Sequence, residues 1–385
     1  MTPSNGIRTV PRVVILNNEI FPYRVQLFHE LQAQGTIDWS VLFSTERSQE
    51  RQWMIDRSIL DFPYRILPGF CIQWPKPNYS EKRFIYFNPT LLFELIRLRP
   101  DVVIGYEFSV PALTGLLYTR LFGKRYIVWT DCTTHTDRNL SRGQRWTRAV
   151  IIPRARAYIG TTRASLRLLA SMGAQPDRVL EAPQMHSAIR FGELVASARP
   201  AQKNPAPVLL YTGALSERKG LDFLLDSFFQ VADRHPTVRL RLVGDGPLRS
   251  RLEEKARRSN AAARIDFMGF VEFDSIHREY AQADIFLLPT LEDAFGVVIV
   301  EALSGGVPVI CSKYAGAADY LVDGENAFIV DPHDTAMMAD RIQQLLSDSN
   351  LRTTFARRGK DLALLFDAPA VARIFETAIQ LALRK

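Results

Sequence analysis

Cysteine and long apolar runs are scarce in this sequence. The 385 residues include only three cysteines, Cys71, Cys132 and Cys311, an odd number at wide spacing. This pattern is typical of reduced thiols and argues against a disulfide-stapled secreted fold. No apolar run approaches the roughly 20 residues that a membrane-spanning helix needs, and residues 1–11 are too polar for a signal peptide. The sequence therefore predicts a cytoplasmic protein.

Motifs for metals and dinucleotide cofactors are also missing. No Asp-x-Asp pair follows a predicted strand, and no His/Cys cluster has the spacing of a metal site. Residues 243–247 read VGDGP, which is not the GxGxxG fingerprint of a nicotinamide-binding turn. Gly244 is equally consistent with a tight turn and with close approach to a nucleotide. The sequence predicts no bound metal and no cofactor.

Acidic residues are absent from one long basic stretch. Residues 1–195 carry 25 Lys and Arg against 16 Asp and Glu, whereas the remainder carries 23 against 25. Between Arg138 and Pro176 there are eight arginines and no acid. The part Arg138–Arg167, which includes Trp146, fits either an anionic membrane surface or a solvated helix face. Nucleic acid is not an expected partner, because the excess charge belongs to one half only.

The chain length and the alternation of strand and helix patterns predict two domains. Strands separated by helix-length patterns indicate parallel sheets built from βαβ units. The predicted fold class is α/β, with two Rossmann-like, doubly wound parallel-sheet domains that face an interdomain cleft. The predicted boundaries are 1–198 for the first domain, 199–206 for a proline-rich linker, 207–365 for the second domain and 366–385 for a terminal helix that packs back toward the first.

Residues 289–308, PTLEDAFGVVIVEALSGGVP, carry most of the functional information. They follow an apolar strand predicted at Ile285–Leu288, and ligands of open α/β sheets lie outside the carboxyl ends of such strands. A helix that begins near Gly296 offers free N–H groups to a phosphate. Asp293 and Glu301 flank that turn, and their carboxylates can accept hydrogen bonds from sugar hydroxyls. A capping Asp and an exposed helical Glu are the plainer alternative.

A second segment, LYTGALSERKG at 210–220, suits phosphate as well. Gly213 lets the backbone approach a ligand closely after a strand. Arg218 and Lys219 precede the next helix, where their charges can neutralise a diphosphate. An Arg-Lys pair by itself is usually a surface pair, but this one stands in register with the later motif.

Residues 208–331 resemble the donor-binding domain of the family-4 retaining glycosyltransferases, the glycosyl transferases group 1, which have the GT-B fold. The resemblance rests on TGALSERKG, VGDGPLRSRLE, DFMGFV, YAQADIFLLPT, EDAFGVVIVEALSGGVPVI and ENAFIVD, in this order. The first half resembles the family more loosely, through FPYRVQLFHEL, DVVIGYE, YIVWTD and EAPQMHSAIRF. Such a first half holds the acceptor in that family.

The resemblance implies roles for individual residues. The family's Glu-x7-Glu pair corresponds to Asp293 and Glu301, so Asp293 would face the transferred sugar and Glu301 would bind the ribose hydroxyls. Because Asp is one methylene shorter than Glu, a binding role suits Asp293 better than a covalent one. Lys219 and Arg218 would hold the diphosphate. The backbone of three residues would meet the sugar and phosphate, namely Phe295, Gly296 and Val297.

This sequence departs from the family pattern at several positions. Ala214 stands where the family commonly has an Arg, and NNEIFPYR (17–24) stands in place of a Gly-Gly loop. Arg24 in that segment would either reach phosphate from the opposite wall or lie solvated on a helix. The family's mid-domain histidine corresponds to Asp131, with His135 four residues on; either would orient donor or acceptor hydroxyls, although a lone loop histidine is more often structural.

These observations predict a metal-independent, retaining glycosyltransferase. It would move a sugar from a nucleotide diphosphate-sugar to a glycan or lipid-linked glycan acceptor in surface polysaccharide biosynthesis, with the basic first domain peripheral at the inner face of the plasma membrane. Two other classes stay open. One is a glycosidase that uses Asp293 and Glu301, and the other is a catalytically degenerate GT-B protein that binds a nucleotide or a partner.

Overall fold

The computed structural model describes residues 10–46, 56–75, 82–185, 187–202 and 206–384. Most of the polar amino-terminal segment, 1–11, therefore lies outside the described residues. The same holds for positions 203–205 of the predicted linker and for the last residue of the predicted terminal helix.

The first sheet has seven parallel strands in the order β3-β2-β1-β6-β7-β8-β9. Its central strands are almost wholly apolar and buried, as parallel strands covered on both faces must be. The strands are β1 (Arg12–Asn17), β2 (Asp38–Phe43), β3 (Tyr64–Ile66), β6 (Val102–Tyr106), β7 (Arg125–Thr130), β8 (Ala157–Gly160) and β9 (Val179–Glu181).

Helices cover both faces of this sheet. One face packs on a core shared with α2, α3, α4 and α5, and the other packs on α1 and the last helix of the chain, α13. Side-chain caps from Ser109, Ser141 and Thr162 begin α3, α4 and α5. The helices are α1 (Pro22–Gln34), α2 (Leu91–Leu98), α3 (Val110–Leu121), α4 (Arg142–Ile151), α5 (Arg163–Ser171) and α13 (Ala368–Leu383).

The second sheet has six parallel strands in the order β12-β11-β10-β13-β14-β15. These strands are β10 (Val208–Thr212), β11 (Arg239–Val243), β12 (Ile265–Gly269), β13 (Ile285–Leu288), β14 (Val309–Ser312) and β15 (Phe328–Val330). Its helices are α6 (Ala188–Ala198), α7 (Leu221–Arg234), α8 (Arg249–Arg257), α9 (His277–Gln282), α10 (Val297–Ser304), α11 (Thr335–Ser347) and α12 (Ser349–Ala363). Two doubly wound parallel sheets confirm the predicted fold class.

Each sheet reverses its strand order at one point, between β1 and β6 in the first and between β10 and β13 in the second. Loops on either side of such a switch point diverge and leave a crevice at the carboxyl ends of the strands. The loops after these four strands therefore border the two candidate crevices.

The chain crosses between the two cores twice. Phe191 of α6 packs on Tyr280 of α9, with ring centroids 5.5 Å apart, so α6 belongs to the second core. Phe375 of α13 packs on Trp129 of β7 at 5.0 Å, in the first core. The predicted boundary at residue 198 placed α6 in the first domain, and the structure moves it to the second. Helical periodicity reveals an apolar face but not which core receives it.

A two-stranded antiparallel hairpin stands apart from both sheets. It consists of β4 (Phe70–Pro75) and β5 (Lys82–Phe87) and packs against α3. Among the described residues, no helix combines the length and the apolar character needed to cross a membrane.

Candidate functional site

The turns that follow β10 and β11 pass each other without room for side chains. Gly213 has φ 144° and its N–H donates to the Val243 carbonyl at 2.9 Å. Gly244 has φ 134°, and a Cβ there would lie 1.9 Å from the Gly213 carbonyl oxygen. Backbone contact between the two turns is therefore sufficient reason for glycine at 244. The predicted donor-binding role of both glycines stays a prediction.

Arg218 ties its own loop to the loop that follows β13. Its carbonyl accepts from the Leu291 N–H at 2.7 Å and from the Thr290 hydroxyl at 2.9 Å. Its guanidinium Nη1 donates to the Glu292 carbonyl at 3.2 Å. The cationic pair and the motif at 289–308, which are about 70 residues apart in sequence, therefore form one site.

Lys219 and Asp293 form a buried ion pair at the centre of this site. The ammonium of Lys219 donates to Oδ2 of Asp293, and the two side chains are 10% and 14% exposed. Burial raises the pKa of Asp293, but the charges of Lys219 and Arg218 and the hydrogen bond from Lys219 outweigh burial and hold that pKa below its usual value. Asp293 is thus ionised at neutral pH and fixes the position of the Lys219 charge.

The helix α10 begins directly after this ion pair. Its preceding residue, Gly296, has φ 90°, a left-handed conformation that favours glycine. The N–H groups of Val297 and Val298, in the first turn, have no intrahelical acceptor and point out of the helix start. The backbone of Phe295 is already engaged, since its N–H donates to Asp293 Oδ1 at 3.3 Å and its carbonyl accepts from Ala317 at 2.7 Å.

Glu301 is buried in the second turn of α10. Its Oε2 accepts from the Tyr280 hydroxyl at 2.7 Å, which in turn contacts the hydroxyl of Thr212 at 2.8 Å. Within the part of the chain that the structure describes, the other carboxylate oxygen has no hydrogen-bond partner. Burial raises the pKa of Glu301 to about 7, and the hydrogen bond from Tyr280 offsets this only in part. The sequence analysis did not single out Tyr280, because a Tyr in an apolar helix pattern is ordinarily core; the available signal was its place at the start of YAQADIFLLPT.

His135 joins the first domain to this loop. Its Nε2 lies 2.8 Å from the Leu291 carbonyl oxygen, and its ring stacks on Tyr314 with centroids 4.6 Å apart. Next to it, Arg138 pairs with Glu292 at 2.8 Å. The structure therefore places His135 at the contact between the two domains, and a catalytic role for it stays a prediction.

Asp131 lies at the end of β7 and is 4% exposed. Its Oδ2 accepts from Arg24 at 3.0 Å, from the Tyr106 hydroxyl at 2.7 Å and from the Gln184 amide. Its Oδ1 is buried and has no partner among the described residues. Asp131 therefore holds three neighbouring side chains through Oδ2, whereas Oδ1 can still accept a hydrogen bond. Its predicted catalytic role stays a prediction.

Arg24 is neither a phosphate arm nor a solvated helix residue. It is 1% exposed, and its guanidinium carbon lies 3.9 Å from the Tyr106 ring centroid and 4.5 Å from that of Trp129. Burial lowers its pKa, but Tyr106, Tyr23 and Asp131 more than offset this and the pKa lies above its usual value. Both alternatives offered by the sequence are wrong for this residue, because its helix turns it inward onto a buried carboxylate.

Glu107 lies beside Asp131 in the first domain, and the sequence analysis did not single it out. It directly follows β6 and has a backbone φ of 60°, which is uncommon for a residue other than glycine. Its carboxylate accepts from the N–H of Asp131 at 2.8 Å and from the Cys132 thiol at 2.8 Å. Burial, together with the charge of Asp131, raises the pKa of Glu107 to about 7. The available signal was an acid directly after the buried strand in DVVIGYE.

The basic stretch Arg138–Arg167 is not one uniform face. Besides Arg138, which pairs with Glu292, Arg148 pairs with Asp137 at 2.7 Å and Arg167 pairs with Asp319 at 3.5 Å. At least three of its eight arginines therefore form ion pairs within the protein. No group of three or more His, Cys, Asp or Glu side chains that could hold a metal occurs among the described residues.

Residues 196–362 match the family model for glycosyl transferases group 1. The lipopolysaccharide core biosynthesis glycosyltransferase LpsE of Rhizobium meliloti is 33% identical over 172 residues, which cover 44% of this chain and 49% of that protein. The D-inositol 3-phosphate glycosyltransferase of Acidothermus cellulolyticus is 31% identical over 233 residues, 56% of this chain and 51% of that protein. The chain thus spans about half the length of these curated relatives.

Solved structures match the fold over nearly the whole chain. Anabaena HepE, solved in complex with UDP-glucose, superposes with a TM-score of 0.74 at 18% identity, covering 96% of this chain and all of that one. The sucrose-phosphate synthase of Thermosynechococcus elongatus superposes with a TM-score of 0.73 at 18% identity, covering 96% and 98%. These matches establish the GT-B arrangement of the two sheets.

Proposed function

We propose that this protein is a glycosyltransferase that uses a nucleotide diphosphate-sugar, because residues 196–362 match the family model for glycosyl transferases group 1. The acceptor is a glycan or a lipid-linked glycan. The relatives' names support the reaction class, and the nucleotide seen in the HepE structure supports the donor class.

One observation carries the proposal: a buried Lys219–Asp293 pair, with Arg218 beside it, stands at the first turn of α10. Cleavage of a nucleotide-sugar leaves a diphosphate, so the main electrostatic task is to stabilise that leaving group. Two cations and the free N–H groups of Val297 and Val298 provide this stabilisation from one side. Glu301 lies in the second turn of the same helix, and its other carboxylate oxygen accepts hydrogen bonds from the ribose hydroxyls.

The reaction proceeds with retention of anomeric configuration and without a metal. The acceptor hydroxyl oxygen forms a bond to the anomeric carbon on the face that the diphosphate leaves, while the bond from that carbon to the β-phosphate oxygen breaks. The hydroxyl proton passes to that phosphate oxygen. Asp293 orients the transferred sugar and Lys219; it does not attack, because its carboxylate is held by the ammonium.

The decisive experiment measures binding and turnover separately. A panel of nucleotide diphosphate-sugars is screened for thermal stabilisation, since a ligand at about 100 times its Kd adds roughly 2.7 kcal/mol. The stabilising donor is then incubated with acceptors, and nucleotide diphosphate release and the anomeric configuration of the product are measured. An inverted product would refute retention, and turnover that depends on an added divalent cation would refute metal independence.

Two outcomes would favour the other classes. Release of free sugar from a glycan without any nucleotide indicates a glycosidase, although an Asp293 already paired with Lys219 is a poor member of a carboxylate pair for that reaction. Stabilisation by a nucleotide without turnover toward any acceptor indicates a binding protein with a degenerate site.

The setting we propose is surface polysaccharide biosynthesis at the cytoplasmic face of the plasma membrane. The printed function of LpsE, lipopolysaccharide core biosynthesis, supports the first part. The three free thiols, Cys71, Cys132 and Cys311, support a reducing compartment.

A further inference from the structure

Part of the first domain exposes a concentration of large hydrophobic side chains. Ten of the twenty-two large hydrophobic side chains that are exposed among the described residues lie between positions 70 and 146. Scattered exposed hydrophobic residues need no explanation, but a concentration of them on one surface marks an interaction site. Nine of the ten belong to four neighbouring elements, the hairpin β4–β5 and the helices α2, α3 and α4, and the tenth, Phe122, directly follows α3.

The hairpin presents an apolar face to solvent. Phe70, Ile72 and Trp74 alternate along β4, so they share one face, and they are 59%, 43% and 60% exposed. Cross-strand register places Ile85 and Arg83 of β5 on that same face, opposite Ile72 and Trp74. The other face of the hairpin is directed inward, where Tyr86 is only 6% exposed.

Each of the three helices adds one exposed turn with the same composition. All three pack on the same face of the first sheet, so their outer sides point the same way. Each outer side combines large apolar groups with arginine at i, i+3 and i+4 spacing. The exposed sets are Phe93, Ile96 and Arg97 on α2, Leu117, Arg120 and Leu121 on α3, and Arg142, Arg145 and Trp146 on α4.

Contacts join these elements into one continuous surface. Arg83 on the outer face of the hairpin donates to the Gln144 side chain in the first turn of α4 at 2.8 Å. The helix α3 contacts β5, α2 and α4. We call this the apolar–basic surface: the exposed face of the hairpin β4–β5 and the outer sides of α2, α3 and α4.

The charge that remains exposed on the apolar–basic surface is positive. Every described acid between positions 82 and 146 is buried, ion-paired or, in the case of Glu107, half-buried and hydrogen-bonded; these are Glu94, Asp101, Glu107, Asp131 and Asp137. Arg97 is partly neutralised by Glu94 at 2.9 Å, whereas no ion pair of Arg120, Arg142 or Arg145 occurs among the described residues.

We propose that the apolar–basic surface is a docking site for an anionic lipid bilayer. Aromatic and aliphatic side chains would enter the interface between headgroups and acyl chains, while the arginines contact anionic headgroups. A symmetric dimer through this surface would place the arginines of both copies against each other, because a two-fold interface pairs a patch with itself. The site lies mostly outside Arg138–Arg167, the stretch for which the sequence left open either an anionic membrane surface or a solvated helix face.

The position of the hairpin connects this docking to the proposed function. Asn88 directly follows β5, and its side-chain amide donates to the carbonyl of Ser44 at 3.0 Å. Ser44 directly follows the carboxyl end of β2. The Ser44 N–H in turn donates to the carbonyl of Asn17, the last residue of β1, at 3.0 Å, so the hairpin end of the apolar–basic surface lies near the crevice of the first domain. This link rests on the proposed function, since a lipid-linked acceptor held in the bilayer would enter the crevice from that side; the docking itself does not.

Vesicle co-sedimentation of the full chain tests the proposal. We expect binding to phosphatidylcholine vesicles that contain phosphatidylglycerol, and little binding to phosphatidylcholine alone. Phe70→Ser with Trp74→Ser should weaken binding about tenfold or more, because two large apolar groups no longer enter the interface. Arg142→Gln with Arg145→Gln should weaken it roughly fivefold for each charge removed, and more salt should weaken the wild type.

Matched controls come from the rest of the surface. Leu365→Ser, at a leucine that is 56% exposed in the second half, and Arg373→Gln on α13 should leave vesicle binding unchanged. Thermal unfolding of each variant verifies its fold.

Equal losses of vesicle binding in the control variants, or a wild type that fails to bind anionic vesicles, would overturn the proposal. So would a concentration-dependent dimer that the Phe70/Trp74 variant abolishes, since this would identify a second copy as the occupant. Donor-induced thermal stabilisation is read separately, so a failure of docking is distinguishable from a failure of the proposed function.

Discussion

The two domains border the cleft with walls of different construction. On the second-domain wall, Lys219 and Asp293 pair at the start of a helix, and Arg218 is tied to the same loop. On the first-domain wall, Arg24 and Asp131 pair beneath aromatic rings, and each is almost fully buried. The first pair borders free helix N–H groups, whereas the second pair is enclosed by protein partners.

This difference separates a charge pair suited to hold a ligand from one suited to hold the protein. A ligand can share the ammonium of Lys219 because the adjoining turn of α10 has unsatisfied donors. Arg24 already donates to Asn17 and Asp131 and lies over two aromatic rings. We therefore expect substitutions on the second-domain wall to lower activity in addition to any loss of stability, and those on the first-domain wall to lower mainly stability.

The largest expected effect is that of Lys219→Met. Removal of the ammonium takes one stabilising charge from the leaving diphosphate, and losses of this kind lower kcat by about 10²–10³-fold. It also leaves Asp293 buried without its ammonium partner, which costs about 3–5 kcal/mol of unfolding free energy. Lys219→Met with Asp293→Asn should recover most of that stability but not the activity. Steady-state kinetics and urea unfolding measure the two quantities.

Asp131→Asn is the counterpart on the first-domain wall. It leaves the Arg24 charge buried without a carboxylate, so we expect a similar loss of stability, while the folded protein should lose less than about tenfold in turnover rate. Lys255→Met, which removes an ammonium from α8, is the matched control for Lys219→Met. If Asp131→Asn slowed turnover as strongly as Lys219→Met, Asp131 would contact the substrate, as its sequence position suggested, and the contrast between the walls would fail.

A smaller effect concerns the pH dependence of stability, because each wall contains one carboxyl group with a raised pKa. The pKa values of Glu301 and Glu107 rise from the ordinary 4.5 to about 7. Each group then binds its proton more tightly in the folded state, so its contribution to stability is present below about pH 4.5 and is lost as the pH rises through 7. Urea unfolding between pH 5 and 8 should show this loss, and Glu301→Gln and Glu107→Gln should each flatten it.

Nucleotide binding should affect only one of these two groups. Ribose hydroxyls that donate to the Glu301 carboxylate favour its charged form and lower its pKa. Saturating nucleotide diphosphate should therefore remove the Glu301 part of the pH dependence and leave the Glu107 part. Glu254→Gln, at a half-exposed glutamate of α8 that pairs with Arg257 and Arg258, should change neither. A nucleotide that leaves the slope of the wild type and of Glu107→Gln unaltered would contradict the ribose role of Glu301.

The smallest expected effect is at His135, which joins the walls. His135→Phe keeps a ring to stack on Tyr314 but loses the contact with the Leu291 carbonyl. We therefore expect the free energy of unfolding to fall by about 0.5–1.5 kcal/mol. The KM for the donor should rise a few-fold because the loop at 289–296 is held less firmly. His135→Ala, which loses the stack too, should be weaker still. Turnover slowed by about two orders of magnitude or more, with an unchanged KM, would instead support the catalytic role predicted from the sequence.

The second domain was more readable from the sequence than the first. Its strands are short, mostly apolar runs, and β10 and β11 lead directly into glycine turns. The motif at 289–308 was expected beside those turns because the carboxyl ends of adjacent parallel strands share one edge of the sheet. In the first domain the strands are equally clear, but the important side chains, Arg24, Tyr106 and Glu107, follow no spacing rule. Their relation depends on strand order, which pairs β1 with β6 across about 90 residues.

Local chemistry determined the strands, the helix start at Gly296 and the candidate phosphate-binding residues, because hydrophobic periodicity and turn chemistry act within a few positions along the chain. Only the tertiary structure decided which core received α6, that Arg24 is buried on Asp131, and that Lys219 is held by Asp293. Those outcomes depend on burial and on distances between residues far apart in sequence. Desolvation and Coulomb energies follow from such distances, and no linear pattern encodes them.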